Sequence, residues 1–189
     1  MSTHDDLRDI ALNEFAASGY GATSLQRIAE LAGLSKSSVL YHYASKEALL
    51  EAAIGPAIDR MAEILDLIEE QPLVGPARDA FIEQFVDFLL QYRLEVHMFI
   101  NQGPSLEDVP VVDRANALVL GLGTFFSSTV ASVEDQLRFG IALGGAAYVL
   151  AAPHDPEVPE APVGEVRTAL VSIVSELLAP VSLRSTVTD

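Results

Sequence analysis

The stretch AELAGLSKSSVLYHY, residues 29–43, decides the fold. Gly33 stands where a tight turn between two helices needs a left-handed residue, a conformation glycine takes without a Cβ penalty. Leu34 follows and can plug the gap between the helices. Ile28, Ala29 and Ala32 give the first helix a small apolar face, and Val39 and Tyr43, at i and i+4, give the second its buried side. Ser24 and Ser35 are suited to cap the two helix starts. The rest of the second helix is Lys36, Ser37, Ser38, Leu40, Tyr41 and His42, a short face rich in hydrogen-bonding groups. A helix of that kind fits the major groove of duplex DNA, with its N-terminal side chains at base edges.

Working outward, the pattern is helical nearly throughout, with Pro and Gly falling mostly between the periodic segments. Upstream, Leu7, Ile10, Ala11 and Phe15 stripe a helix over about His4–Ser18, which Gly19 ends. Downstream, Ser45 caps a helix reaching about Glu70, with Glu47 in its first turn. Gly55-Pro56 lies within it, and an interior proline predicts a kink or two shorter helices. Further helices are expected over about Ala77–Tyr92, Leu94–Asn101, Val111–Ser132, Glu134–Ala152 and Val163–Leu178. PHDPEVPEAP, 153–162, reads as a proline-rich acidic loop. The expected fold is all-α with about nine helices. A three-helix helix-turn-helix domain covers 1–46, a larger helical domain covers 47–182, and 183–189 form a frayed tail.

The chain has 189 residues, half of them hydrophobic, and a net charge of −16. Residues 1–50 carry −2 of that and the remainder −14, so the acid is concentrated away from the hairpin. An acidic body repels DNA and limits non-specific binding. Cysteine is absent, which excludes disulfides, thiolate metal sites and a cysteine nucleophile. MSTHDDLRD lacks the basic start and apolar run of a secretory signal. Ala115–Val133 is uncharged but contains Asn116, Thr124, Ser127, Ser128, Thr129 and Ser132, so it reads as a buried helix rather than a membrane span. A cytoplasmic location is expected. HDPE, 154–157, reads as a solvated turn rather than a metal site. H-E-x-x-H, G-x-S-x-G and the glycine-rich phosphate loops are all absent, so no catalytic residues, cofactor or metal are expected.

TSLQRIAELAGLSKSSVLYHYASKEALL, 23–50, resembles the DNA-binding region of the TetR family of transcriptional regulators. ALNEFAASGYGAT, 11–23, resembles that family's first helix and its Gly-aromatic exit. The likeness runs without a gap over about Leu7–Leu50. Members often carry glycine at position 37 and tyrosine at position 40, where this chain has Ser37 and Leu40, with Tyr41 next door. The resemblance implies that Ser24, Arg27, Ser35, Lys36, Ser37, Ser38, Leu40, Tyr41 and His42 meet double-stranded DNA, with Lys46 reaching a phosphate. It also implies a homodimer on an inverted-repeat operator and, more often than not, repression.

For the rest of the chain the resemblance implies a small-molecule effector between the helices over Ala77–Tyr92 and Val111–Ser132. Phe81, Phe85, Phe88, Tyr92, His97, Met98, Asn101, Leu122, Phe125 and Phe126 are the candidate lining, and their character suggests an apolar ligand. Core packing is the competing reading for each aromatic. Gly140, Gly144, Ala147 and Tyr148, with Leu170, Ile173, Val174 and Leu177, are the candidate dimer contacts, because many small residues suit close approach of another backbone. Ligand binding would then bend the long helix at Gly55-Pro56 and respace the two reading heads. The alternative is a helical small-molecule carrier or interaction module that has lost DNA binding.

Overall fold

A computed structural model describes residues 3–70, 73–102, 106, 109–152 and 160–183. The elements are α1 (Thr3–Ser18), α2 (Leu25–Leu31), α3 (Lys36–His42), α4 (Lys46–Glu70), α5 (Gly75–Gln91), α6 (Arg93–Gln102) and α7 (Pro110–Thr129). Then come α8 (Val133–Phe139), a π-helical turn (Gly140–Gly144), α9 (Gly145–Ala151) and α10 (Val163–Leu178). Because α8, the π turn and α9 run end to end, the described residues form nine helical segments. The only extended pairing among them is an isolated bridge, Val130 with Leu183, beside which Ala131 N donates to Ser182 O at 2.9 Å. The fold is all-α. No described helix is long and apolar enough to cross a membrane. The 154–157 motif and most of the proline-rich loop lie outside the described residues.

The chain divides into two compact units, residues 1–59 with 94–116, and residues 60–93 with 117–189. In the first, Leu7, Ala11 and Phe15 of α1 are buried, as are Ile28, Ala29, Val39, Leu49, Leu50, Met98, Val111 and Val112. Arg114 of α7 ties two turns of α4 together, with Nη1 at 2.6 Å from Glu51 and Nη2 on Asp59. In the second unit, α5 packs on α10, and Ile82, Phe85, Val86, Leu89, Val174 and Leu178 are buried. Arg167 of α10 clamps α5 through Asp87 at 2.6 Å and Glu83 at 3.3 Å. That guanidinium holds the Asp87 carboxyl below its ordinary pKa.

Three sequence expectations need correction. First, of the two alternatives at Gly55-Pro56, two shorter helices is the one overturned: α4 is a single helix from Lys46 to Glu70. The ring of Pro56 is exposed while Ala53, Ile54, Ala57 and Ile58 around it are buried, so packing holds the helix across the missing backbone bond. Second, α5 begins earlier than expected, at Gly75, whose φ of 52° turns the chain while Pro76 occupies the first turn. Third, the single helix expected over 134–152 contains the π turn. Gly140, Gly144 and Gly145 weaken regular α-helix there, and one widened turn results.

Candidate nucleic-acid interface

Ser24 caps α2 by accepting from Arg27 N at 3.1 Å. The exit of α2 satisfies two of its terminal carbonyls at once. Leu34 N donates to Ala29 O at 2.8 Å, and Gly33 N donates to Glu30 O at 3.1 Å. This is the Schellman arrangement, and it requires the φ of 67° that Gly33 supplies. Ser35 then caps α3, accepting from Ser38 N at 3.1 Å, with the Ser37 and Ser38 hydroxyls each 2.8 Å away. The result is a tight cluster of hydroxyls at the start of α3.

Val39 is fully buried and fixes the rotation of α3. The opposite face is open. Tyr41 is 87% exposed and Leu40 40%, and Ser35, Lys36 and Ser37 are exposed too. Ser38 and His42 are half-buried, and His42 lies edge-on to Tyr41 at 5.4 Å. At the far end of α3 the Tyr43 hydroxyl donates to the His4 carbonyl at 3.0 Å and lies 2.9 Å from His4 Nδ1, pinning α1 to the helix exit. Burial pushes the Tyr43 phenol up. Arg27 is exposed beside Glu14, at 3.4 Å.

Lys46, expected to reach a phosphate, is drawn inward. Its ammonium donates to Tyr20 O at 2.9 Å and Thr23 O at 3.0 Å, and sits 4.2 Å from the Tyr20 ring centre. The α1–α2 turn presents two carbonyls and an aromatic face to it, which replace water more completely than an exposed site would. Burial, with the Glu47 carboxylate nearby, pushes the Tyr20 phenol up to about 12. Glu47 is held below the ordinary carboxylate range by its own backbone N–H and the Ser45 hydroxyl at the start of α4.

The candidate effector residues fall in both compact units. In the second unit Phe81 stacks on Phe85 at 5.9 Å, Phe126 stacks on Phe139 at 3.8 Å, and Phe88 meets Tyr92 at 5.3 Å. Phe81, Phe85, Phe88 and Phe126 are buried and fill core. Two cavities of about 130 Å³ exist there. Leu122 and Phe125, with Leu65, Asp66 and Gly121, border one; Phe81, with Ile68, Leu73 and Gln84, borders the other. Each is smaller than the ~300–1,000 Å³ usual for a ligand site. His97, Met98 and Asn101 belong to the first unit. There Met98 is buried and Asn101 donates to the His97 carbonyl at 3.0 Å.

Among the candidate dimer contacts, Tyr148 and Ile173 are 64% and 53% exposed, and Gly140 and Gly144 face open space. Ala147, Leu170 and Leu177 are half-buried. Val174 is a correction: it is 1% exposed and packs inside its own chain. Leu137, Ile141 and Val149, which the sequence reading did not single out, are all more than half exposed on α8, the π turn and α9. The glycines drew attention away from the large apolar residues between them, and the π turn rotates the face that follows.

An all-helical chain that displays a capped, polar, exposed second helix from a glycine turn is a helix-turn-helix protein. Its segment 7–53 matches the family described as bacterial regulatory proteins, tetR family. It is 47% identical over 49 residues to the transcriptional regulator RutR of Escherichia coli K12, covering 26% of this chain and 23% of that protein. It is 30% identical over 94 residues to the transcriptional repressor AcnR of Corynebacterium diphtheriae, covering 50% and 48%. The chain thus spans about a quarter to a half of the length of these curated relatives. Among solved structures, a TetR family member from Streptomyces coelicolor aligns over 92% of this chain and 91% of its own, with TM-score 0.66 and 25% identity. The ketosteroid regulator KstR2 of Mycobacterium tuberculosis aligns over 96% and 95%, with TM-score 0.72 and 16% identity, a likeness of fold.

Proposed function

We propose that this chain is a cytoplasmic, homodimeric repressor of transcription that reads an inverted-repeat operator through α3 of each protomer. One observation carries the reading: among the described residues, Tyr41, Leu40, Lys36 and Ser37 of α3 stand exposed, with Tyr41 at 87%. Ser37, Ser38 and His42 would supply base contacts, while Ser24, Arg27, Ser35, Lys36 and Tyr41 would hold the sugar-phosphate backbone. Residues 1–46 form the reading head in this account, and 47–182 carry the dimer contacts and an effector site. The apolar residues exposed on α8, the π turn, α9 and α10 favour a second copy of the chain as the covering partner. The effector is small and apolar in this account, since the candidate lining residues are mostly aliphatic and aromatic.

Titration of the purified chain against its own upstream DNA tests the reading. A salt-dependent shift that maps to two half-sites about 34–36 Å apart is expected. Ligand binding without such a shift at any salt concentration would leave the carrier reading in its place.

A further inference from the structure

One side chain far along the sequence closes the turn that launches the hairpin. Gln102, the last residue of α6, sends its amide nitrogen to Phe15 O at 2.9 Å and Ala16 O at 3.2 Å. Its amide oxygen accepts from Tyr20 N at 3.1 Å. Phe15 and Ala16 lie in the last turn of α1, where the Phe15 carbonyl also accepts from Gly19 N at 3.0 Å, and Tyr20 follows the left-handed Gly19, φ 90°. From the other side Lys46 takes Tyr20 O and Thr23 O. The buried Thr23 bonds the Gly19 carbonyl at 2.8 Å through its hydroxyl, and Ser24 next to it caps α2. The α1–α2 turn is therefore held between Gln102 and Lys46, all within the first compact unit.

We infer that Gln102 is a positioning residue for DNA reading. It touches no DNA. It fixes where α1 ends and α2 begins, and so how α3 is presented. The inference rests on the proposed DNA binding but not on any effector. A side-chain amide suits the task because one end donates twice and the other accepts, which neither a carboxylate nor a thioether reproduces.

The experiment compares the parent chain with Gln102→Met, Gln102→Glu and, as a control of matched destabilisation, Ile82→Val in the core of the other unit. Operator affinity and amide hydrogen exchange are both read. Gln102→Met is expected to lose about tenfold in operator affinity and to speed exchange at the Tyr20 amide about tenfold, while Ile82→Val keeps parental affinity. Gln102→Glu is expected to bind poorly at about pH 8 and to approach the parent near pH 5, as a protonated carboxyl regains one donor. Parental affinity in Gln102→Met, or a loss equalled by Ile82→Val, overturns the inference. Absence of DNA binding in the parent overturns the functional reading instead. The Tyr20 exchange rate then still decides whether Gln102 holds the turn, and an unchanged rate in Gln102→Met would end that idea.

Discussion

Ser35 serves stability and recognition with the same oxygen, and the two can be separated. Its hydroxyl caps α3 and anchors the Ser37 and Ser38 hydroxyls. Ser35→Ala removes the cap, so a loss of about 1 kcal/mol and a melting temperature lower by about 2–4 °C are expected, together with weaker operator binding. Ser35→Asp keeps a capping oxygen but sets a charge where phosphate would come. It should melt with the parent and bind no operator in the same titration. Glu95 offers a second residue-scale test. Burial pushes its carboxyl up, outweighing the lowering from its backbone N–H and from Arg8. A folded pKa above the unfolded one means that stability is fully present below the unfolded carboxyl pKa, about 4.3, and falls as pH rises through the folded value. Glu95→Gln should therefore melt higher than the parent at pH 7, and thermal melts in acid should bring the two together. Much at this scale was legible beforehand: Gly33, Ser24 and Ser35 have demanding local geometry that only a few residue types meet. Lys46 was not, because its partners are backbone carbonyls, and backbone atoms carry no sequence signal.

At the scale of elements, legibility followed the strength of the local pattern. α10 begins and ends where Val163 and Leu178 were expected to bound it, since a proline precedes its start and its apolar residues repeat at helical spacing. The π turn was invisible because α and π turns bury residues of the same kind and differ by one residue of register. The continuity of α4 was invisible for another reason: proline's cost is local, whereas the burial of Ala53, Ile54, Ala57 and Ile58 that offsets it is tertiary. Pro56 remains an unfavourable residue in a helix interior, costing up to about 3 kcal/mol against alanine. Gly55 has room for a side chain, its added Cβ meeting only Glu51 Oε1 at 3.7 Å. Gly55→Ala with Pro56→Ala should raise the melting temperature measurably. If α4 also bends there when effector binds, the double variant should stay on operator at effector concentrations that release the parent. Normal release from the stabilised variant would leave the proline as a tolerated defect and nothing more.

For the whole molecule the open questions are what covers the apolar face and how an acidic protein holds DNA. Ile141 is 61% exposed on the π turn, beside glycines that face open space. Ile141→Glu should leave the protomer folded by circular dichroism and yield monomers in sedimentation. Operator affinity should then fall by two orders of magnitude or about that, because one recognition helix cannot supply the avidity of two. Charge sets the second expectation. Most of the net −16 lies beyond residue 50, so cations near the hairpin must carry the phosphate contacts. Lys46 is engaged by carbonyls, which leaves Lys36 and Arg27 as exposed cations of α2 and α3. Two per protomer give four in a dimer, and a log–log salt slope of about −4 follows. Lys36→Ala should flatten that slope by about 2 without altering which operator variants are preferred, since phosphate contacts position rather than specify. If Lys46 swings out to phosphate in the complex, the parent slope steepens towards about −5 and Lys46→Ala restores about −4, whereas Lys46→Ala leaves the slope unchanged if the lysine stays inward. The salt titration thus measures whether the inward lysine stays where the free protein holds it.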